Sequence, residues 1–461
     1  MSRNESNKPI GLAIVGCGKV GRIRGVFACD YPGVEWLGLC DIDEQLGRKL
    51  AEDTKADFFT TDYKELLARP EVNAAIIATQ ESEHVAPIFE AAGRGHDLFI
   101  EKPLATNARD SAQVLKAIDD AGVDAVVGYT NRFRRKFLVV KEKLRTEQLG
   151  QITSVTTRAF MNRLGPIATV VKAENRASLT PMVVSGTHSL DISMWFMEGK
   201  TPVEVYARDV DHALGASYGM TDATFGIFTF DDGTMWSMNI NWALPENWPA
   251  SVYTLEIGIV GTDGVITIDD THRDLVMAGD HGQAAGYTPE VKRKVEFLAS
   301  YPPGDMAFGQ LWGPMREETN AWYQRVHVGL DTPHATAADG HRNLMMTMAM
   351  DLSAKRGKAI KLPVDPAEQR VIPGGQPPAA VNHGSGHPDF GVVIHIVLFK
   401  IVFRAENHRR PAVALGAALE DGNGIHDDPR RHNLLVRKGF VILGKGIEPG
   451  IVMVLDGRIA Q

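Results

Sequence analysis

The chain has 461 residues, 44% hydrophobic and 23% charged, the balance of a soluble globular protein with room for two or three domains. Acidic residues outnumber basic ones, 57 to 49, for a formal charge of -8, and no Lys/Arg run is concentrated. That balance argues against nucleic acid or an anionic membrane as the main partner. The only cysteines, Cys17, Cys29 and Cys40, make no disulfide framework, and the N-terminal stretch MSRNESNKP has no apolar signal segment. Both features read as cytoplasmic.

In chain order, strand-like runs at Ile10–Val15, Val34–Cys40, Asn73–Ala78, Leu98–Ile100 and Asp124–Gly128 alternate with helical stretches. The helical stretches include Val20–Cys29, His84–Gly93 and Ala108–Ala121. This order predicts an α/β domain over residues 8–131, a doubly wound parallel sheet covered on both faces.

After Arg132 the rhythm changes. A helix at Phe137–Arg145 precedes a strand at Ile152–Phe160 and a helix at Thr187–Met197. Strands then follow one another at Val203–Val210, Ala223–Phe230, Met235–Trp242, Tyr253–Val260 and Val265–Ile268. Asp231-Asp232-Gly233 and Thr262-Asp263-Gly264 are hairpin signals. Residues 132–365 are therefore expected to form an α+β domain on a large, mostly antiparallel open sheet, closed by helices Met315–Gly329 and Ala338–Arg356 and a strand at Ala359–Leu362. From 366 to 461 the chain has no Trp, Tyr or Cys and opens with the linker-like Ile372-Pro373-Gly374-Gly375-Gln376-Pro377-Pro378. An appended module, a disordered tail and an out-of-frame extension all fit that segment. Its His383 and His387 have metal-ligand spacing but no third ligand, so no metal site is predicted.

Gly16-Cys17-Gly18-Lys19-Val20-Gly21 lies between a predicted strand and a helix, and Asp41 ends the next strand. That context turns a common glycine spacing into a dinucleotide fingerprint. Gly16 allows the tight turn, Gly18 the approach of a pyrophosphate, and Gly21 close helix–strand packing. Asp41 is expected to accept from a ribose hydroxyl and to repel a 2′-phosphate, favouring NAD over NADP. Arg22 and Arg24 are the residues that would count against that preference. Cys17 reads as a small spacer.

Two further segments fall at carboxyl ends of predicted parallel strands, Thr79-Gln80-Glu81-Ser82-Glu83-His84 and Glu101-Lys102-Pro103-Leu104. Open α/β sheets bind ligands at that edge, and a Lys fixed by the following Pro is placed to meet a substrate hydroxyl. In the second domain, Gly186-Thr187-His188-Ser189-Leu190-Asp191 opens a helix that puts His188 and Asp191 on one face. An imidazole held by a carboxylate suits general acid–base work.

Taken with Gly128-Tyr129-Thr130-Asn131-Arg132-Phe133 and Gly340-His341-Arg342-Asn343-Leu344, these segments resemble the glucose–fructose oxidoreductase/inositol dehydrogenase (Gfo/Idh/MocA) family over roughly residues 8–365. The resemblance implies an NAD-dependent enzyme moving a hydride to or from a hydroxyl carbon of a sugar, cyclitol or related polyol. It implies Lys102, His188 and Asp191 as catalytic residues, with Lys102, Arg132 and His188 touching substrate. It adds Thr79, His84, Glu101 and Lys102 to the cofactor contacts, and oligomerisation through the second-domain sheet. One position departs from the pattern. Many members carry an Asp four residues before the His, where this chain has Val184; Tyr287 and Arg163 are candidate replacements. A redox-neutral glycosidase or lyase using NAD, and an NAD- and ligand-binding sensor without turnover, stay open as alternatives.

Overall fold

A computed structural model describes residues 7–364, except 171–178, 249–252, 271–274, 285–291 and 298–302, and four short strands beyond residue 433. The chain divides into two compact units, residues 1–379 and 380–461. In the second unit the described strands form two hairpins, 434–437 with 440–443 and 453–455 with 458–460. The rest of the 366–461 segment, including His383 and His387, lies outside the described residues.

The first layer is a parallel sheet of β1 (Ile10–Val15), β2 (Val34–Cys40), β3 (Phe58–Thr60), β4 (Ala74–Ile77), β5 (Asp97–Ile100) and β6 (Ala125–Val127). The helices between them are α1 (Lys19–Cys29), α2 (Glu44–Thr54), α3 (Tyr63–Leu67), α4 (Val85–Gly93) and α5 (Ala108–Ala121). Strand order is 3-2-1-4-5-6, the doubly wound arrangement whose direction reverses between β1 and β4. Alternation along β1 shows why both faces are covered: Ile10, Leu12 and Ile14 join one apolar cluster, Ala13 and Val15 the other. Side-chain caps start α2, α3 and α5, where Asp43, Asp62 and Asn107 accept from Leu46, Lys64 and Asp110 backbone N–H groups.

The second layer begins with α6 (Arg135–Arg145), β7 (Ile152–Asn162), α7 (Leu164–Val170), a π-helical turn (Met182–Gly186) and α8 (Thr187–Phe196). There follow β8 (Pro202–Val210), α9 (Ala213–Tyr218), β9 (Ala223–Phe230), β10 (Met235–Leu244), β11 (Tyr253–Gly261) and β12 (Val265–Asp269). Two hairpins come next, β13 (Val276–Ala284) with β14 (Lys292–Phe297) and β15 (Asp305–Ala307) with β16 (Gln310–Trp312). The chain then runs through α10 (Pro314–Val328), β17 (Ala335–Thr336), α11 (Ala337–Arg356) and β18 (Ile360–Lys361).

The second sheet has order β12-β11-β7-β10-β9-β8-β18, antiparallel except for β7 beside β10. Both sequence turns close hairpins, β9 to β10 and β11 to β12. One face packs Phe228, Trp236, Ile240, Trp242 and Ile257 against α8 and α11. The other exposes Tyr206, Phe225, Ile227, Met235 and Val265.

Layer and sequence part company late in the chain. Met315, Trp322, Tyr323 and Val326 of α10 pack in the cluster of Ile10, Leu12 and Phe99, and β17 pairs with β6 antiparallel. The stretch from α10 to β17 thus completes the first layer.

Candidate active site

The glycine loop turns from β1 into α1 at the reversal of strand order. Gly16 has φ of +97°, and a Cβ there would lie 2.5 Å from the Ala78 carbonyl oxygen. At Gly21 a Cβ would lie 1.8 Å from the Gly16 carbonyl oxygen, whereas at Gly18 it would meet nothing within 4 Å. Two glycines are therefore imposed by the backbone, and the third borders open space. Unlike α2, α3 and α5, helix α1 has no side-chain cap and no acid in its first turn, which holds Lys19 and Val20. No acidic side chain there opposes an anion at the positive end of the helix dipole, where a pyrophosphate would lie.

Asp41 projects over this loop, Oδ2 accepting from Cys17 N at 2.6 Å and Oδ1 from Asp43 N at 2.8 Å. Neither arginine that counted against NAD faces it without a partner. Arg22 pairs with Asp53 at 3.6 Å, and Arg24 is wholly buried between Glu101 and Glu318. Burial, with Asp41 and Cys40 beside it, pushes the Cys17 thiol up to about 12, so Cys17 fills space as an uncharged group. Open space at Gly18, an uncapped helix end and a carboxylate beyond it fit a dinucleotide.

Lys102 follows β5, half-buried, on a cis Lys102–Pro103 peptide. The buried His84 ring sits against this turn: Nδ1 lies 2.9 Å from the Pro103 carbonyl oxygen, and Nε2 lies 3.2 Å from that of Thr79. His84 thus ties the β4 loop to the Lys102 turn, which corrects its expected place among the cofactor contacts. Thr79 gives its carbonyl to that tie, while its hydroxyl donates to the Gln80 carbonyl at 3.3 Å. Glu101 also differs from expectation, its Oε1 accepting from Arg24 Nε at 2.6 Å.

His188 comes from the second layer, one residue into α8. Its pKa is pushed down to about 3, first by burial and then by the charge of Lys102. Tyr129, itself buried, meets the imidazole edge-on with ring centres 6.1 Å apart, and its hydroxyl lies 3.1 Å from Thr187 Oγ1. Among the described residues His188 makes no side-chain hydrogen bond, and no carboxylate pairs with Lys102.

The pairing of His188 with Asp191 expected from their spacing is not what the helix builds. Asp191 is fully buried and takes Arg132 in a bidentate pair, Nη2 to Oδ1 at 2.7 Å and Nε to Oδ2 at 2.9 Å. Asn343 Nδ2 adds a third donor at 2.8 Å. Arg132, also expected at the substrate, is instead locked by Asp191, by Asp339 at 3.2 Å and by the His334 carbonyl. The fork and the third donor satisfy the buried carboxylate, and that pair joins the two layers. Asn343 stands in a segment that carries the resemblance, but no local spacing links it to Asp191.

Val184 lies in the π-helical turn and packs against the apolar cluster of the second sheet, so no acid occupies that position. Arg163 gives its guanidinium to the carbonyls of Ala243 and Leu244, at 2.9 and 3.1 Å. Tyr287 lies outside the described residues.

Residues 10–129 match the oxidoreductase family with an NAD-binding Rossmann fold, and residues 137–267 match the GFO/IDH/MocA C-terminal domain, together more than half of the chain. The chain is similar to scyllo-inositol 2-dehydrogenase (NAD(+)) of Bacillus subtilis (strain 168), 22% identical over 286 residues, covering 61% of this chain and 80% of that protein. It is also similar to 2,7-anhydro-N-acetylneuraminate hydratase of Mediterraneibacter gnavus, 27% identical over 265 residues, 57% of this chain and 68% of that one. In fold it matches the crystal structure of scyllo-inositol dehydrogenase from Lactobacillus casei with NAD(H) and scyllo-inositol, with a TM-score of 0.62, 17% identity, and coverage of 77% of this chain and 99% of that one. Among the described residues no helix is long and apolar enough to cross a membrane. With the glycine loop, the Glu101-Lys102-Pro103 turn and His188 on one edge, and both domains matched in order, the chain belongs to the Gfo/Idh/MocA oxidoreductase family.

Proposed function

We propose that this protein is an NAD-dependent dehydrogenase acting on a hydroxyl carbon of a sugar, cyclitol or related polyol. The observation that carries the reading is the placement of Lys102, just after β5, and of His188, packed on Tyr129 just after the neighbouring β6, at the carboxyl edge of the sheet that also carries the glycine loop. Gly16, Gly18, Gly21 and the start of α1 would hold the pyrophosphate, and Asp41 the adenosine ribose, favouring NAD over NADP. When bound, the nicotinamide supplies the hydride acceptor.

The residues then divide the proton chemistry. A neutral imidazole has a lone pair for a substrate hydroxyl proton, which a protonated one lacks. The burial and positive neighbour that keep His188 neutral also make it a weak base in the resting site. A developing alkoxide reverses that, because its negative charge stabilises both an imidazolium and the Lys102 ammonium at close range. Tyr129 packs against the imidazole with the two rings nearly perpendicular. The buried Arg132–Asp191–Asn343 cluster fixes α8, and with it His188, against the first layer.

A panel of polyols, with NAD and NADP in parallel and reduction followed at the NADH absorbance band, tests this reading. Turnover with NAD and one or more polyols is expected; failure with every polyol, or a clear preference for NADP, contradicts it. A second reading is favoured by Val184 and by the similarity to a hydratase: a redox-neutral reaction in which NAD returns to its starting state. Product formation without net NADH separates the two. We further infer that the apolar outer face of the second sheet pairs with another copy of the chain. Ile227, 46% exposed at its centre, makes Ile227→Lys the variant whose dissociation by light scattering tests it.

A further inference from the structure

Arg24, on the helix that leaves the glycine loop, is wholly buried and joins three parts of the chain. Its Nε donates to Glu101 Oε1 at 2.6 Å, Nη2 to Glu318 Oε2 at 2.9 Å and Nη1 to Thr319 Oγ1 at 2.6 Å. The guanidinium lies over Phe99, 3.9 Å from the ring centre. Glu101 is the residue before Lys102, and Glu318 comes from α10, the helix that returns to the first layer. Glu318 Oε2 also accepts from Thr130 Oγ1 at 3.0 Å, while Oε1 is buried with no partner among the described residues.

Two carboxylates therefore face one guanidinium in a closed site. Among the described residues no second cation pairs with Glu101 or Glu318. Thr130, Thr319 and Tyr323, whose hydroxyl donates to the Arg24 carbonyl at 3.2 Å, are neutral. His334 holds the Glu318 carbonyl through Nε2 at 3.0 Å, and burial pushes its pKa down to about 3, so it too is uncharged. Like charges sharing a buried site do not both ionise readily. Burial raises Glu318 to about 7, against the pull of Arg24 and with the push of Glu101.

We propose that Glu318 is a positioning residue for Lys102: carrying the cluster's one proton on Oε1, it leaves the Arg24 guanidinium to Glu101 and so fixes the turn on which Lys102 stands. The inference rests on the dehydrogenase reading of Lys102. Loss of the proton to solvent makes Glu318 a second full anion, which competes with Glu101 for Arg24 and loosens the turn.

The test uses the full chain with Glu318→Gln, which imitates the protonated acid, and Glu318→Ala. Thermal midpoint against pH needs neither substrate nor cofactor. Folded Glu318 keeps its proton to about pH 7 but unfolded chain releases it near the ordinary carboxylate value, so its share of stability is lost as pH rises between the two. Glu318→Gln should gain midpoint relative to wild type from about pH 5 to about pH 8. Glu318→Ala should lower kcat about tenfold with little change in KM for NAD, and Glu318→Gln should restore it at about pH 6 and flatten the alkaline limb. A Glu318→Gln midpoint and kcat that track wild type at every pH would overturn the proposal, as would Gln losing as much kcat as Ala at low pH. Full turnover in Lys102→Ala would instead overturn the dehydrogenase reading, and the midpoint curves would still report the proton on Glu318.

Discussion

The two sides of the candidate site are held by different kinds of information. On the cofactor side, everything that shapes the glycine loop lies between Ile10 and Ala78: a strand, three glycines, an uncapped helix and the carboxylate of Asp41. On the substrate side, His188 stands on a helix fixed through Asp191 by Arg132, 59 positions away, and by Asn343, 152 positions away. The first side depends on backbone conformation, which short sequence patterns dictate. The second depends on buried polar contacts between distant segments, where the same local spacing can serve either chemistry or packing.

Substitutions on each side sharpen that contrast. The largest effect expected is on chemistry: His188→Asn should lower kcat by about 10²–10⁴-fold with NAD affinity retained, measured by steady-state kinetics and cofactor fluorescence. Its stability should also respond to pH in a set direction. Folded His188 stays neutral down to about pH 3 while unfolded histidine protonates near its ordinary value, so wild type loses stability as pH falls between those two values. The Asn variant should lose less, and an identical acid limb in both would contradict a buried neutral imidazole.

Next comes Asp191→Ala, which leaves the buried Arg132 guanidinium only Asp339 and the His334 carbonyl and should cost about 3 kcal/mol in denaturant unfolding. If the variant unfolds like wild type yet loses turnover, Asp191 serves His188 after all, as its spacing first suggested. Gly21→Ala should destabilise the loop by about 1–3 kcal/mol and weaken NAD binding, because its Cβ meets backbone that cannot move aside. The smallest effect expected is Asp41→Ser, which should raise NADP affinity relative to NAD about tenfold by titration, since no positive charge is added to attract the 2′-phosphate.

How much of this was legible in the sequence follows the same division. β1, β2, α5 and β9 stand where apolar periodicity put them, and both hairpin turns close as their Asp-Gly signals require. The stretch after Asp41 was less readable. Helix α2 buries only Gly47, Leu50 and Thr54, so its core-facing side is narrow among many charged residues, and β3 is three residues long at the sheet edge. Lys102 and His188 could be named because their neighbours in sequence form motifs, and the fold sets Lys102 after β5 and His188 against Tyr129 after the adjacent β6. The roles of Asp191, Arg132, Glu101 and His84 could not, because each is set by a partner outside its own motif. Glu318 gave no signal at all: it lies in an ordinary amphipathic helix and acquires its meaning only where Arg24 meets it.

Lys102 stands on the cofactor sheet and is proposed to share the proton chemistry with His188, so it tests the account most directly. Lys102→Ala should lose turnover of any polyol the wild type oxidises by about 10²-fold or more, with NAD binding and thermal midpoint nearly unchanged. Near-normal turnover in that variant would contradict the assignment of the chemistry to this edge of the molecule.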